Sequence, residues 1–454
     1  MKRLLLVTCL LIAVESVNAQ NAQGGQSPTL TFEEAVSIGL KKSVLLNTQK
    51  NFLYMAEARK LQGYAGYLPN LSAQGFAQRA TGLQINPTTG EGSNITAEQI
   101  QGSLNANYTL FNGFNRLNVL KQAIYSTDAQ IAFIARTEQD VVFNVSNQYL
   151  QVLLDQELLK IAAETFKSQS VLRDQIQKMA ELGSRAELDF YTQDAIVKNL
   201  EVTMIRARVA LDNDRSLLRQ TLQLDPVDSF AVEKPNWNAA IENVHNLSLD
   251  SLIKVALATR KDLKQQELLV DSWKYSMRGN TAGYYPTLSA FGSYGSTYFK
   301  SSDSADPASF HEQFVKLNPQ LAYGLQIRIP IFDQFTTRTN RITQKVTMQN
   351  AMLTRDNLVK TIQIDVQRAV NNYNAAIQAY KASLIQYEAA ERALRLQKDS
   401  YELGSAAQVA VAQATQTYVQ GLASRAQAEV TLLFQRVMLD YAVGILKPED
   451  FAGR

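Results

Sequence analysis

The stretch Ala65-Gly66-Tyr67-Leu68-Pro69-Asn70-Leu71-Ser72-Ala73 returns as Ala282-Gly283-Tyr284-Tyr285-Pro286-Thr287-Leu288-Ser289-Ala290. Farther along, Ala180-Glu181-Leu182-Gly183-Ser184 returns as Tyr401-Glu402-Leu403-Gly404-Ser405. The offsets are 217 residues (282 − 65) and 221 residues (401 − 180). Each copy reads in one order: a short helix, two alternating strands, then a very long helical hairpin. Two strands and a rod neither close a sheet nor bury their own apolar stripe. Such a unit must pair with its twin and with other chains.

The rods are read from what is missing. The chain has ten prolines, and none falls in 88–225 or 331–447. Proline breaks helix interiors, so both stretches are free to run as long helices. Every seventh residue from Leu117 gives Leu117, Ile124, Ile131, Glu138, Val145, Val152 and Leu159, with a companion row of Leu120, Ile134, Val141 and Ala162. This is a coiled-coil seam with polar interruptions at Glu138, Gln148 and Asp155. A helix over 113–181 extends about 100 Å at 1.5 Å per residue, longer than the core of any compact domain.

Both rods stop at Leu-Gly-Ser. Gly183 and Gly404 suit the left-handed position that ends a helix. Ser184-Arg185-Ala186-Glu187 and Ser405-Ala406-Ala407-Gln408 each fit a capping box that starts the next helix. The expected hairpins are therefore 113–223, with its tip at 182–184, and 335–446, with its tip at 403–405.

Four alternating runs precede the rods, expected as strands at about 71–79, 102–111, 288–298 and 321–332. Leu71, Ala73, Gly75 and Ala77 alternate with Ser72, Gln74, Phe76 and Gln78, and the other runs behave alike. Runs of about ten residues, apolar on one face and aromatic near their ends, match outer-membrane barrel strands. Polar stretches at 79–101 and 299–319 join the strands of each pair. Four strands do not close a barrel, and open edges are excluded from lipid, so the missing strands come from identical chains. Two copies give eight strands and three give twelve. An eight-stranded interior is filled by side chains, so a conduit favours twelve.

The first 19 residues read as an export signal, with Lys2 and Arg3, an apolar Leu4–Val14 segment and a Val17-Asn18-Ala19 cleavage site. A retained anchor is the competing reading, against which the segment is short. Residues 20–246 then form the first repeat and 247–454 the second. The only cysteine, Cys9, lies in the signal, which leaves the rest without disulfide, thiol nucleophile or cysteine metal site. Removing the signal, with Lys2, Arg3 and Glu15, takes the formal charge from +3 to +2, which argues against nucleic-acid binding. His245 and His311 have no metal-ligand spacing. Phosphate loops and nucleophile elbows are absent, so the chain reads as a non-enzyme without cofactor.

Taken in order and in duplicate, several landmarks resemble the TolC family of outer-membrane efflux and channel proteins. They are Leu30-Thr31-Phe32-Glu33-Glu34-Ala35-Val36 and Leu247-Ser248-Leu249-Asp250-Ser251-Leu252, the Tyr-x-Pro-x-Leu-Ser approaches to the strands, and the Leu-Gly-Ser tips. Leu110-Phe111-Asn112-Gly113 and Ile331-Phe332-Asp333-Gln334 add the points where strands give way to rods. The resemblance implies a mixed α/β membrane protein: a homotrimer with a 12-stranded β-barrel in outer-membrane lipid, continued by a long α-helical coiled-coil barrel through the periplasm. It implies a periplasmic adaptor docking on the tips Leu182, Gly183, Ser184, Leu403, Gly404 and Ser405, and an inner-membrane transporter of RND, ABC or MFS type. It also implies a belt from residues near 40–60, 225–265 and the C-terminal end, where Trp237 and the Pro226–Pro235 segment sit.

Some family members close the tunnel mouth with aspartate rings and an arginine-centred link on the inner hairpin. Here Tyr401 is retained, but the arginine position is Ala406 and the acidic positions are Ala410 and Gln413. Asp189 matches an acidic gate position in the first repeat, and Arg185 is the residue available as a substitute. The gate candidates are thus Arg185, Asp189, Tyr401 and Gln413.

The expected function is a passive exit duct of a tripartite efflux pump or type I secretion system, since the chain has no nucleotide-binding motif. Two alternatives are a substrate-specific porin and a non-conducting periplasmic coiled-coil spacer. The strands argue against a spacer, and the rods against a porin.

Overall fold

The computed structural model describes residues 29–85, 90, 92–225, 230–235, 248–302 and 308–447. The expected signal and Pro226, Trp237 and His245 lie outside these residues. In chain order the first set of elements is β1 (Thr29–Leu30), α1 (Phe32–Lys42), α2 (Val44–Ala65), β2 (Asn70–Ile85), β3 (Gly92–Asn112), α3 (Asn115–Glu181), α4 (Glu187–Leu222) and β4 (Ala231–Val232). The second is α5 (Leu249–Thr259), α6 (Lys261–Asn280), β5 (Thr287–Ser301), β6 (Gln320–Arg328), α7 (Thr336–Glu402) and α8 (Gln408–Val443). Helices α3 and α7 each have 67 residues, and α4 and α8 each have 36.

The short helices start where hydroxyls satisfy orphan amides. Thr31 Oγ1 accepts from the Glu34 amide at 3.2 Å, and Glu34 Oε2 accepts from the Thr31 amide at 3.0 Å. Ser248 Oγ accepts from the Ser251 amide at 3.3 Å. The rods start through two consecutive left-handed residues, Gly113 and Phe114 in one case, Gln334 and Phe335 in the other. The turned phenyl rings meet Phe111 and Phe332 edge-on, at 5.4 and 5.6 Å.

Strands β2, β3, β5 and β6 form one antiparallel sheet in that order, so sequential hairpins stay neighbours and β2 and β6 are its free edges. The strands differ in extent from the sequence expectation. β2 runs on to Ile85 and β3 begins at Gly92, because polar cross-strand pairs such as Thr81 with Thr96 extend the ladder beyond the apolar stretch. The polar connection is correspondingly shorter than 79–101. At the other end β6 stops at Arg328 instead of 332, since Pro330 has no N–H for a ladder. Past Gly295, where β6 begins, the edge of β5 is satisfied by side chains. Gln313, in a π-helical turn over Glu312–Leu317, both donates to and accepts from the Phe299 backbone at 3.0 Å, and Asn318 Nδ2 donates to Thr297 O at 2.6 Å.

The rods bury two clusters. One gathers Phe32, Val142, Val145, Tyr149, Val152, Leu211 and Leu218 around α1, α3 and α4; the other gathers Leu252, Ile362, Val366, Tyr373, Leu432 and Leu439 around α5, α7 and α8. Tyr149 ties the first to the parallel β1–β4 pair by donating to the carbonyls of Leu30 and Glu233 at 2.8 and 2.7 Å. The seam expected from Leu117 is buried only in part. Val145 and Val152 are fully enclosed, whereas Leu117 and Ile131 stand exposed on the single chain.

The carbonyl end of α8 is held by side chains from three elements. Gln139 Nε2 donates to Gly444 O and Leu446 O at 3.2 and 3.1 Å, Thr259 Oγ1 donates to Val443 O at 2.7 Å, and Arg260 Nη1 donates to Ala442 O at 3.4 Å. Cations there also complement the negative end of the helix dipole. Arg136 lies over the Tyr441 ring at 3.9 Å and pairs with Asp140 at 3.1 Å. Burial pushes the Tyr441 phenol up to about 12, so its hydroxyl stays a donor to Asp140 Oδ1 at 2.7 Å.

Candidate functional site at the hairpin tips and barrel wall

Each rod ends in the same backbone motif. Gly183, at φ 73°, donates to Ala180 O at 2.9 Å, and Ser184 N donates to Met179 O at 2.9 Å. Gly404, at φ 75°, donates to Tyr401 O at 3.0 Å, and Ser405 N donates to Ser400 O at 2.9 Å. These paired bonds close the C-terminal turn around a left-handed glycine. The expected capping boxes do not form. Ser184 Oγ and Ser405 Oγ reach backward instead, each donating at 2.8 Å to the same carbonyl as its own amide. Helices α4 and α8 begin after Ala186 and Ala407, which have no side-chain cap. Leu182 and Leu403 are therefore presented bare at the two tips, 83 % and 85 % exposed.

Three of the four gate candidates come together. Arg185 lies over the Tyr401 ring at 4.3 Å, and its Nη2 donates to Tyr401 O at 3.4 Å. This link joins the first hairpin's turn to the end of the second rod. Tyr401 is buried, and its hydroxyl has no hydrogen-bond partner among the described residues. Burial pushes that phenol above its ordinary range; the Arg185 charge opposes the rise and the Asp189 charge adds to it. Asp189 is half-buried in the first turn of α4. Gln413 is exposed on α8 and makes no side-chain hydrogen bond to the Arg185–Tyr401 pair among the described residues.

Above the tips lies a glutamine ladder that motif reading missed. Gln193 Nε2 donates to Gln169 Oε1 at 2.8 Å, and Gln408 Nε2 donates to Gln193 Oε1 at 2.8 Å. All three side chains are buried, and they join α3, α4 and α8. The second capping box is missing because the Ser405 amide is already taken by Ser400 O, while Gln408 donates across to Gln193. The available signal was a polar residue four positions from buried Val197 in the same helical row.

The sheet has one apolar and one polar face. Leu71, Ala73 and Ala77 align with Ala106, Leu104 and Ile100, and these with Gly292, Tyr294 and Tyr298. From Ile100 to Tyr108 the apolar band runs about 27 Å along the strand at 3.4 Å per residue, which is about 20 Å across a bilayer at a barrel tilt of about 40°. It is bounded by a charged row across three strands, Arg79, Glu98 and Lys300, with Arg79 and Glu98 paired at 3.7 Å. The opposite face carries neutral Asn, Gln and Ser side chains such as Gln74, Gln101, Asn105, Asn107 and Ser293. Among the described residues no helix is long and apolar enough to cross a membrane, and no group of acidic, His or Cys side chains is arranged to hold a metal.

Comparison with known proteins agrees with this division of labour. The family model for outer membrane efflux proteins matches residues 54–222 and 252–444. The outer membrane protein TolC of Salmonella enteritidis is 22% identical over 371 residues, covering 79% of this chain and 72% of TolC. The pyoverdine export outer membrane protein OpmQ of Pseudomonas aeruginosa is 22% identical over 417 residues, covering 89% and 84%. Among solved structures, CusC superposes with a TM-score of 0.79 at 16% identity, covering 91% of this chain and 92% of CusC. The CmeC outer membrane channel of Campylobacter jejuni gives 0.78 at 16% identity, covering 91% and 85%. The chain belongs to the outer membrane efflux protein family, an exit duct of the outer membrane with a helical extension into the periplasm.

Proposed function

We propose that three copies close a 12-stranded barrel and a continuous helical tunnel, through which cargo passes from a periplasmic adaptor and an inner-membrane transporter to the outside. The observation that carries this reading is the four-stranded sheet with free edges β2 and β6 and an uncovered apolar face, on which Tyr323 is 81 % exposed. A sheet with open edges is not stable in lipid, and edge pairing with further copies removes them. Leu117 and Ile131 on the rod are exposed as well. The duct carries no energy source of its own. Purified protein in planar bilayers should give discrete conducting steps; protein that inserts without conducting would support the spacer reading instead.

The bare tips are the adaptor-docking surface in this proposal. A Gly183→Val, Gly404→Val double variant forces β-branched residues into left-handed backbone, at about 1–2 kcal/mol per site, with no steric clash to unfold the rod. Export should fall sharply while the amount of protein in the outer membrane stays constant. Unchanged export would remove the tips from the docking surface.

Arg185 on Tyr401 is the latch of the resting mouth. A partly desolvated cation–π contact is worth about 1 kcal/mol, and three copies act together, so Arg185→Ala should shift the closed-to-open ratio on the order of 100-fold. Because the link is to a ring and a neutral carbonyl, wild-type closure should change little between 0.1 and 1 M salt, where the screening length falls from about 10 to 3 Å. Single-channel recording, normalised for bulk conductivity, tests both. A salt-opened wild-type mouth, or an Arg185→Ala mouth that remains shut, would exclude this latch.

A further inference from the structure

The three charged side chains of β2, β3 and β5 all stand in one row: Arg79 is opposite Glu98, and Glu98 is opposite Lys300. Strand alternation puts them on the apolar face, two positions beyond Ala77, Ile100 and Tyr298. The rods leave the sheet after Asn112 and after Arg328, so the row lies at the far end, toward the cell exterior and the outer leaflet. Arg79 and Lys300 are exposed, and two cations against one carboxylate leave a net positive charge. The Arg79–Glu98 pair, at 3.7 Å and open to solvent, holds weakly, so Arg79 is available to a stronger anion. Below the row the same face is hollowed. Ala73, Ala106 and Gly292 floor a trough of about 500 Å³, walled by Leu71, Leu104 and Tyr294. A second hollow of about 430 Å³ shares Ala73, Leu104 and Tyr294 and runs on to Phe314. Phe314 covers Gly102, where a Cβ would fall 3.0 Å from its ring. It stacks on Phe310 at 5.0 Å, and Phe310 meets Tyr298 edge-on at 5.4 Å. Gln313 pins the turn between these rings to the β5 backbone, so the flank of the trough nearest the row is fixed.

We propose that this face binds a phosphorylated lipid of the outer leaflet, with its phosphate between Arg79 and Lys300 and an acyl chain running past Phe314 into the trough. The spacing fits such a molecule. From Glu98 to Leu104 is about 20 Å along the strand and about 15 Å along the bilayer normal at a tilt of about 40°, the depth of one leaflet. Charge and shape select the ligand together. A neutral headgroup gains nothing from the row, and a soluble anion leaves the trough unfilled. On the outer side of the row, the hydroxyls of Thr81 and Thr96 meet at 3.0 Å and offer polar partners to a sugar headgroup. The row lies within one chain, so each copy carries a complete site. The site rests on the apolar face being turned to lipid, as it is in a closed barrel of several copies.

The test is native mass spectrometry of the full-length assembly in non-ionic detergent, titrated with lipid A, an acylated glucosamine disaccharide with two phosphates, and with its dephosphorylated form. Wild-type protein should give discrete adducts that saturate at one lipid A per chain. Removing the phosphates, or removing both cations in an Arg79→Gln, Lys300→Gln double variant, should weaken binding roughly 30-fold. Glu98→Gln takes away a repelling carboxylate and should tighten binding severalfold. Gly292→Leu, where a Cβ meets nothing within 4 Å, fills the trough and should weaken binding severalfold with the row intact. The same spectra count chains, so a failure of assembly is read apart from a failure to bind lipid. Equal binding of the dephosphorylated lipid, wild-type binding in the double variant or in Gly292→Leu, or displacement of lipid A by an equal concentration of inorganic phosphate would overturn the proposal.

Discussion

Gly113→Val should remove the protein from the outer membrane at 37 °C. Gly113 sits where β3 turns into α3, at φ 62°, followed by Phe114 at φ 63°. A Cβ there falls 2.8 Å from Ala282 O and 2.8 Å from Tyr285 Cβ, and backbone atoms do not move aside as a side-chain end does. The left-handed penalty of about 1–2 kcal/mol adds to an overpacking cost of about 1–3 kcal/mol. Every copy in an assembly bears it, at the point that aims the rod relative to the sheet. Gln334 occupies the equivalent place before α7 at φ 55°, so Gln334→Gly is the matched control, neutral or stabilising by up to about 1 kcal/mol. Fractionated membranes and urea midpoints of the two variants decide it. Wild-type levels of Gly113→Val would mean that this junction tolerates a different backbone path.

Arg260→Ala should cost about 3–5 kcal/mol, because it strands two acids beside a helix end. Arg260 is 6 % exposed and joins α5 to α6. Its Nε donates to Asp262 Oδ1 at 3.1 Å, and Nη1 donates to Asp365 Oδ2 and Ala442 O, both at 3.4 Å. Burial alone would push the Asp262 carboxyl up, but its bonds to Arg260 outweigh this and hold it below the ordinary range. The wild-type clamp therefore acts above the ordinary carboxylate pKa and is lost as pH falls through the depressed value. In Arg260→Ala only the Arg136 charge and the Leu263 amide still oppose burial, so the depression shrinks and the variant gains stability relative to wild type on acidification from neutral pH. An Asp262→Ala second change should recover part of the loss. Thermal midpoints of all three proteins from pH 4 to 8 measure both effects, and parallel pH profiles for wild type and Arg260→Ala would contradict the clamp.

The sequence made the rods legible because their signals are negative and local. Proline is excluded from 88–225 and 331–447, and a Leu-Gly-Ser closes each helix where a left-handed glycine is needed. The strands were legible only where one face is apolar. Beyond Ala77 and before Ile100 the ladder is held by pairs such as Arg79 with Glu98 and Thr81 with Thr96, and polar alternation looks like a loop. The tip serines were misread for a different reason. A Ser-x-x-Glu or Ser-x-x-Gln spacing reports what the hydroxyl can reach forward, whereas Met179 O and Ser400 O behind it are helix-end carbonyls that accept from both the hydroxyl and the amide of the serine. The Arg185–Tyr401 stack and the glutamine ladder join residues 24 to 216 positions apart with no periodic signature. Only the third dimension brings them together.

In the proposed assembly one chain supplies only a third of the barrel. This share is tested most directly by the mass of the detergent-solubilised protein from outer membranes, by native mass spectrometry with detergent stripped in the gas phase. Three chains are expected, whose 12 strands leave no open edge. A single chain, with four strands and both edges bare, or a dimer of eight, would contradict it.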